Sequence, residues 1–208
     1  MKKVDAINII VTSAKAYRDN LVNRNFLFVF GRENDLDCFE AVFLPRHFKH
    51  LTGVVGPNEE QSSVNFYDMC LSGKLSPTAF DLNKDGTTRM KLLVLNQLMS
   101  IHAIAKMAGD HSDTGVKLYT EKIVGTTAAC MGFVRESGSS DLFVPKAVLS
   151  VDTRTVVQKP AKKILAIYTK PKSKVLFSEC TYMAKGIVAK DILMDEGFRK
   201  QCKTNSEP

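Results

Sequence analysis

The sequence has no long run of uncharged apolar residues. The longest candidate is residues 92–108, which include the polar or basic side chains of Asn96, Gln97, His102 and Lys106. A helix that crosses a membrane needs about 20 predominantly apolar residues. At the N-terminus, Asp5 and Asn8 interrupt the chain before the apolar core of a signal peptide can form. We therefore expect a soluble, cytoplasmic protein that makes no contact with membranes.

Cysteine pairs and the familiar catalytic motifs are also missing. The 5 cysteines are scattered and never form a C-x-x-C pair, which argues against a disulfide framework and a thiolate zinc site. The chain contains no G-x-x-x-x-G-K-[ST] loop, no G-x-G-x-x-G fingerprint and no G-x-S-x-G elbow. Residues 81–86 resemble the start of a calcium loop, but Leu92 stands where the bidentate glutamate is required. The sequence therefore predicts no cofactor and no metal.

The composition is that of an ordinary globular protein. Of the 208 residues, 44% are hydrophobic and 25% are charged, which excludes largely disordered, collagen-like and coiled-coil proteins. Domains cluster at roughly 100 to 150 residues, and neither a linker nor an internal repeat divides the chain. We predict a single domain over residues 1–200 and a polar, flexible tail over residues 201–208.

The positive charge is confined to the last third of the chain. Up to residue 145, lysine plus arginine balance aspartate plus glutamate, so residues 146–208 carry the whole net charge of +7. Six lysines fall close together there: Lys159, Lys162, Lys163, Lys170, Lys172 and Lys174. Such a cluster attracts polyanions through counterion release, which predicts that these lysines bind RNA or another polyanion. A sheet edge that lysines protect against aggregation has the same composition and is the alternative.

Hydrophobic periodicity predicts three helices in the first half of the chain. They cover residues 4–22, 62–71 and 87–108. The apolar face of the first helix includes Val4, and that of the third includes Met90 and Leu93. Gly109 is placed to terminate the third helix.

Strands are predicted mainly in the second half. An early hairpin joins residues 26–30 to residues 38–44, and later strands are expected over residues 117–120, 122–127, 128–134, 142–144, 164–169 and 175–181. The turn at residues 170–174 predicts that the last two strands run antiparallel. Helices followed by strands, without regular alternation, indicate an α+β domain.

The segment after the early hairpin combines histidines with cations. Arg46, His47, Lys49 and His50 fall within five positions. No H-E-x-x-H glutamate accompanies the two histidines, which argues against zinc. A histidine beside cations is the arrangement that metal-independent RNA cleavage requires, because imidazole transfers protons and cations stabilise the phosphate. We predict that Arg46 and Lys49 contact nucleic acid. For His47 and His50, the alternative is a surface position without a catalytic role.

Several segments carry a resemblance to a known family. They are Phe48-Lys-His-Leu-Thr-Gly-Val54, Phe66-Tyr-Asp-Met-Cys-Leu71, Asp85-Gly-Thr-Thr-Arg-Met-Lys-Leu92, Lys117-Leu-Tyr-Thr120 with Gly125 and Met131-Gly-Phe133, and Lys163-Ile-Leu-Ala-Ile-Tyr-Thr169. In order and content they resemble the phage-associated branch of the barnase/EndoU/colicin/RelE-like (BECR) nucleases. The resemblance implies N-terminal helices packed on a curved antiparallel sheet, with an RNA-cleaving site that uses no metal.

The resemblance also implies roles for individual residues. His50 matches the histidine of the family's HLTG-like motif and is the expected general base or acid. Lys91 and Lys122 are expected to contact the phosphate, and Thr52 and Tyr182 to offer hydroxyl groups.

The predicted function is a metal-independent endoribonuclease of a phage or mobile element, acting as a cytoplasmic toxin through 2′-hydroxyl attack. An immunity protein is a possible partner of such an enzyme. The alternative is a non-catalytic binding protein on a degenerate nuclease fold that inhibits a nucleic-acid-handling complex, because a fold does not establish an activity.

Overall fold

Helices occupy much of the first half of the chain. The computed structural model describes residues 1–32, 35–56, 62–112, 119–138, 141–188 and 192, so the predicted tail at residues 201–208 lies outside the described part. The α-helices are α1 (Lys3–Asn20), α2 (Pro45–Thr52), α3 (Ser63–Leu71), α4 (Thr87–Leu98) and α5 (Ile101–Ile104). None of the described helices is long and apolar enough to cross a membrane.

The strands form one large sheet and one small ladder. In chain order they are β1 (Arg24–Arg32), β2 (Asp35–Val42), β3 (Val54–Val55), β4 (Asp81–Leu82), β5 (Met107–Asp110), β6 (Lys122–Gly125), β7 (Cys130–Arg135), β8 (Leu142–Leu149), β9 (Lys162–Pro171) and β10 (Glu179–Met183). The large sheet has the order β1-β2-β8-β7-β6-β5-β9-β10, and β3 pairs with β4.

The large sheet curves until it closes on itself. β1 pairs with β2 on one side and with β9 on the other, so seven strands from β1 round to β9 form a ring. All pairings in it are antiparallel except a short parallel contact between β2 and β8. The predicted α+β class, with helices on a curved and mostly antiparallel sheet, is therefore confirmed.

β1 is the central strand of the hydrophobic core. Residues 26–30 are all fully buried, because alternate side chains of a strand point to opposite faces and both faces of β1 are covered. Phe26 and Phe28 join the main core beneath the helices. Leu27 and Val29 join a second cluster on the other face, with Phe177. The continuous apolar run of residues 26–30 therefore forms a strand that is buried on both faces.

The predicted third helix is wrong over its last part. α4 ends at Leu98, the short α5 follows, and residues 107–110 are strand β5 of the large sheet. Gly109 does not terminate a helix. A Cβ atom at this position would lie 3.1 Å from Cβ of Val157, so glycine allows the chain beside β5 to approach closely.

The buried faces of two helices also differ from prediction. Met90 and Leu93 are 55% and 71% exposed, whereas Leu92 and Leu95 of the same helix are buried. In α1, Val4 is 60% exposed, and the buried stripe consists of Ala6, Ile10, Ala14 and Tyr17. Both helices have apolar residues on more than one side, so periodicity alone did not select the side that packs.

The last hairpin forms later along the chain than predicted. β9 and β10 are antiparallel, as the turn residues indicated. β10 nevertheless begins at Glu179, and Val175 is 75% exposed. Of the predicted strand at residues 117–120, the first two residues lie outside the described part and the last two are not strand.

Candidate functional site

A pocket opens where α2, α4 and β8 meet. It encloses about 520 Å³ and is lined by His50, Thr87, Met90, Lys91, Tyr119, Thr120, Lys146 and residues 147–151. This volume falls within the range of roughly 300 to 1,000 Å³ that is typical of small-molecule sites. The structure therefore brings together His50 and Lys91 of the sequence-predicted site residues.

The local sequence of α2 explains how His50 is presented. Pro45 starts the helix at a position where its missing N–H is not needed, and Gly53 ends it in the left-handed conformation, with φ of 70°. Thr52 is fully buried, and its hydroxyl donates to the carbonyl of Lys49 at 2.6 Å and accepts from the amide of Val54 at 3.2 Å. The Thr52 hydroxyl thus closes the end of the helix and does not reach the pocket.

Gly53 also makes room for Lys91. A Cβ atom on Gly53 would lie 2.7 Å from Cδ of Lys91, so glycine at this position lets the lysine stem pass close to the end of α2. Lys91 Nζ then donates to the carbonyl oxygen of His50 at 3.2 Å. The hydroxyl of Thr88 donates to the carbonyl of Gly53 at 2.6 Å, which ties α4 to the end of α2.

His50 is held as a neutral base. Its ring is exposed at the pocket mouth, yet the pKa of His50 is lowered to about 4, first by desolvation and then by the positive charges of Lys91 and Lys146. An ordinary histidine titrates near 6.5. At pH 7 the His50 imidazole is therefore almost entirely unprotonated and is able to accept a proton.

Two lysines give the pocket its positive charge. Desolvation lowers the pKa of Lys91, and the charge of Lys146 lowers it further. Among the described residues, neither lysine forms an ion pair with a carboxylate. The carboxylate of Asp85 acts on Lys91 and raises its pKa, but Asp85 does not line the pocket. An anion that enters the pocket therefore meets two cations, which favours its binding.

His47 lies beside this pocket but faces away from it. Its Nδ1 accepts a hydrogen bond from the amide of Leu44 at 3.3 Å, so in the neutral ring the proton is on Nε2, 3.8 Å from Oε2 of Glu136. Burial first, and the charge of Arg46 next, lower the pKa of His47 to about 4. Arg46 itself is paired with Glu136 at 2.6 Å, which places this predicted nucleic-acid contact in an ion pair.

Two further predicted catalytic residues lie elsewhere. Lys122 forms ion pairs with Asp37 at 3.0 Å and with Asp110 at 2.8 Å, and these carboxylates raise its pKa against the effect of desolvation. The ring of Tyr182 packs under Lys106, whose Nζ lies 3.8 Å from the ring centre. Neither lines the His50 pocket.

The predicted basic cluster divides into two surface groups, in which Lys162 alone is half-buried, and one buried residue. Lys159, Lys162 and Lys163 lie at the start of β9, and Lys172 and Lys174 lie beyond its end. At about 3.3 Å per strand residue, the two groups are roughly 30 Å apart. Lys162 pairs with Asp35 at 3.1 Å, and Lys49, predicted from the early segment, lies 5.8 Å from the ring centre of Phe66.

Lys170 is the buried member of this cluster. It is 7% exposed, and its Nζ lies 3.0 Å from Oε1 of Glu40 and 4.2 Å from the ring centre of Phe177. Lys170 therefore lies in the core, with its ammonium group paired to Glu40.

Three pocket residues were not among the predicted site residues: Lys146, Tyr119 and Thr120. Lys146 is a cation inside an otherwise apolar strand, with Val144 and Val148 buried on either side of it along the chain. That interruption was the available signal, because a charged residue within a buried strand needs a local reason. Tyr119 and Thr120 belong to the segment Lys117-Leu-Tyr-Thr120 that carries the family resemblance, and that segment was their signal.

Comparison with known families agrees with this architecture. The family model described as phage-Barnase-EndoU-ColicinE5/D-RelE like nuclease4 matches residues 9–186. No curated protein and no solved structure matches the chain. The match covers most of the chain and includes α2, α4 and β8, which build the His50 pocket. The protein belongs to the phage-associated BECR-like nuclease family.

Proposed function

We propose that the protein is an endoribonuclease that cleaves RNA with its own side chains and without a metal ion. The observation that carries this proposal is the position of His50, a neutral base at the mouth of a pocket that also holds Lys91 and Lys146. Membership of a nuclease family supports a phosphodiester as the substrate. A base and fixed cations are the groups that attack by a 2′-hydroxyl requires.

His50 is the proposed general base. It accepts the proton of a 2′-hydroxyl group while that oxygen attacks the adjacent phosphorus, and the bond from phosphorus to the 5′-oxygen breaks. The products are a 2′,3′-cyclic phosphate and a 5′-hydroxyl. Because the base must be unprotonated to act, the lowered pKa of His50 keeps it competent from mildly acidic pH upwards.

Lys91 and Lys146 are the proposed electrophilic groups. Their charges stabilise the negative charge that grows on the phosphate oxygens. The environment that lowers the pKa of Lys91 makes its ammonium a stronger acid than an exposed lysine. We assign to Lys91 the proton that the leaving 5′-oxygen needs.

The test is a time course with mixed 5′-labelled RNAs in EDTA. We expect fragments that end in 2′,3′-cyclic phosphate, because the proposed reaction needs the 2′-hydroxyl and no metal. A DNA of the same sequence, which lacks the 2′-hydroxyl, should remain intact. RNA that stays whole under conditions where it is bound would contradict the proposal and favour the non-catalytic inhibitor of a nucleic-acid-handling complex.

The exposed lysines are proposed to bind the RNA backbone away from the cleaved bond. Replacing Lys172 and Lys174 by glutamine, and separately Lys159 and Lys163, should each make RNA affinity less dependent on salt. Each lost phosphate contact lowers the slope of log affinity against log salt by roughly 0.7 for a single strand. The measurement is fluorescence anisotropy of labelled RNA at several salt concentrations.

The matched control for this measurement replaces two exposed lysines on other elements, Lys15 and Lys74, by glutamine. It keeps the same change in net charge, so any general effect of charge appears in it. If all three double variants have the wild-type slope, the basic cluster protects the sheet edge and does not bind RNA.

A further inference from the structure

One side of the His50 pocket is apolar and carries a large exposed aromatic ring. Tyr119 is 85% exposed and Met90 is 55% exposed, and both line the pocket. The last residues of β8 and those that follow it, 147–151, line it as well, and four of these five residues are alanine, valine or leucine. Large side chains left in water at the rim of a cavity are typical of binding sites.

The cationic and apolar sides belong to the same cavity. His50, Lys91 and Lys146 supply the charge, and Tyr119 and Met90 supply the apolar surface. A phosphate group alone would fill only a small part of about 520 Å³ and would leave the apolar surface in water. The ligand that fits both sides carries a negative charge next to a flat, mostly apolar group.

An unused hydroxyl lies in the same lining. Oγ1 of Thr120 is buried and has no hydrogen-bond partner, although buried polar groups are nearly always paired. Cγ2 of Thr120 packs against Gly132. A Cβ atom on Gly132 would lie 2.5 Å from this Cγ2 atom. The hydroxyl of Thr120 is therefore a buried donor and acceptor, in the lining of the pocket, whose hydrogen-bonding capacity is unused.

We propose that this side of the pocket binds one unpaired nucleobase next to the cleaved phosphate, stacked on Tyr119 against Met90, with its polar edge near Thr120. This inference rests on the proposed function and adds its substrate class. A base inside a duplex is stacked and paired, so only single-stranded RNA presents one to an aromatic ring. The substrate is therefore single-stranded RNA, and a duplex is excluded.

The test measures binding of an oligonucleotide that cannot be cleaved. The probe is a short single strand with 2′-O-methyl riboses and a 2-aminopurine base, whose fluorescence falls on stacking. Tyr119→Ala should weaken binding about 5-fold to 100-fold, which is the usual effect of removing one stacking ring, and should abolish the loss of fluorescence. Tyr119→Phe keeps the ring and should behave like the wild type within about twofold.

Folding does not obscure this comparison, because Tyr119 is almost fully exposed. A duplex with the same sequence should bind at least tenfold more weakly than the single strand. Equal affinity of Tyr119→Ala and wild type for the probe, or equal affinity for duplex and single strand, would overturn the nucleobase site.

The two proposals fail separately. If RNA is cleaved in EDTA but Tyr119→Ala binds the probe like the wild type, the nucleobase site is wrong and the nuclease stands. If RNA stays intact while Tyr119→Ala loses probe binding, the nucleobase site stands on a protein that binds RNA without cutting it.

Discussion

Replacing His50 by glutamine is expected to lower the rate of RNA cleavage about 100-fold or more while RNA affinity changes by less than about twofold. A general base usually contributes roughly 10²-fold to 10⁴-fold, and glutamine keeps the size of the side chain without its basicity. The hydrogen bond from Lys91 goes to the backbone carbonyl of His50, so it survives the substitution. The loss therefore reports on the imidazole and leaves the position of Lys91 unchanged.

The pH dependence of wild-type cleavage gives a second readout of the same group. The base form of His50 is the active form, and its pKa lies at about 4. The rate should therefore stay level as the pH falls from 7 to about 5 and then decrease tenfold per unit below about 4. kcat/KM is the quantity to measure, because it reports the pKa of the free enzyme.

His47→Gln is the matched control. His47 lies on the same helix and has the same lowered pKa, but it does not line the pocket. Glutamine at this position keeps an acceptor for the amide of Leu44. Cleavage by His47→Gln should stay within about tenfold of the wild type. If His50→Gln cleaved as fast as His47→Gln, or if the acid limb lay near 6.5, His50 would not be the base.

The parts of the fold that the sequence predicted are those in which local pattern and burial agree. Five consecutive apolar residues, 26–30, form a strand that is covered on both faces. Ser62 caps α3 through a hydrogen bond from the amide of Asn65, as a serine before an apolar helix indicates. In both cases the information lies within a few neighbouring residues.

The end of α4 was not predictable in this way. Its apolar spacing continues into residues 101–108, yet residues 107–110 pair with β6 and β9 as a strand. Those partners lie far along the chain, and their hydrogen bonds outweigh the local preference. Gly109 was therefore misread, because its role depends on Val157, a residue that no local window contains.

The candidate site was predictable only in the residues that a family motif marks. His50 and Lys91 belong to two such motifs. The two motifs are in contact, because the Lys91 stem passes over Gly53, which belongs to the same motif as His50. Lys146 reaches the pocket only because β8 packs against both α2 and α4. No spacing in the sequence encodes that contact.

Lys170→Met is expected to lower the free energy of unfolding by about 3 to 5 kcal/mol, which is the usual effect of removing one partner from a buried ion pair. Lys170 is 7% exposed, and its partner Glu40 has a side chain that is 13% exposed. Without the lysine, the half-buried Glu40 carboxylate keeps, among the described residues, the hydrogen bond from the amide of Asn25 at 2.7 Å. The measurement is the midpoint and slope of urea unfolding at pH 7.

Glu40→Gln provides the internal test of this explanation. Glutamine keeps an oxygen that accepts from Asn25 but carries no charge, so it removes the reason for the loss. The double variant Lys170→Met with Glu40→Gln should therefore be more stable than Lys170→Met alone, and the double-mutant cycle gives the coupling energy of the pair. A double variant that is no more stable than Lys170→Met would show that packing against Phe177, not charge, is what Lys170 provides.

Lys172→Met is the matched control for Lys170→Met, because Lys172 lies two residues further along the same basic run and is exposed. Exposed substitutions usually change stability by less than about 0.5 kcal/mol. We expect Lys172→Met to unfold like the wild type and Lys170→Met to bind RNA like the wild type. The two lysines are the same residue type, but the charge of Lys170 links β9 to Glu40 of β2 across the intervening strand β1. The charge of Lys172 is available to a polyanion. Equal losses of stability in the two variants would contradict this division.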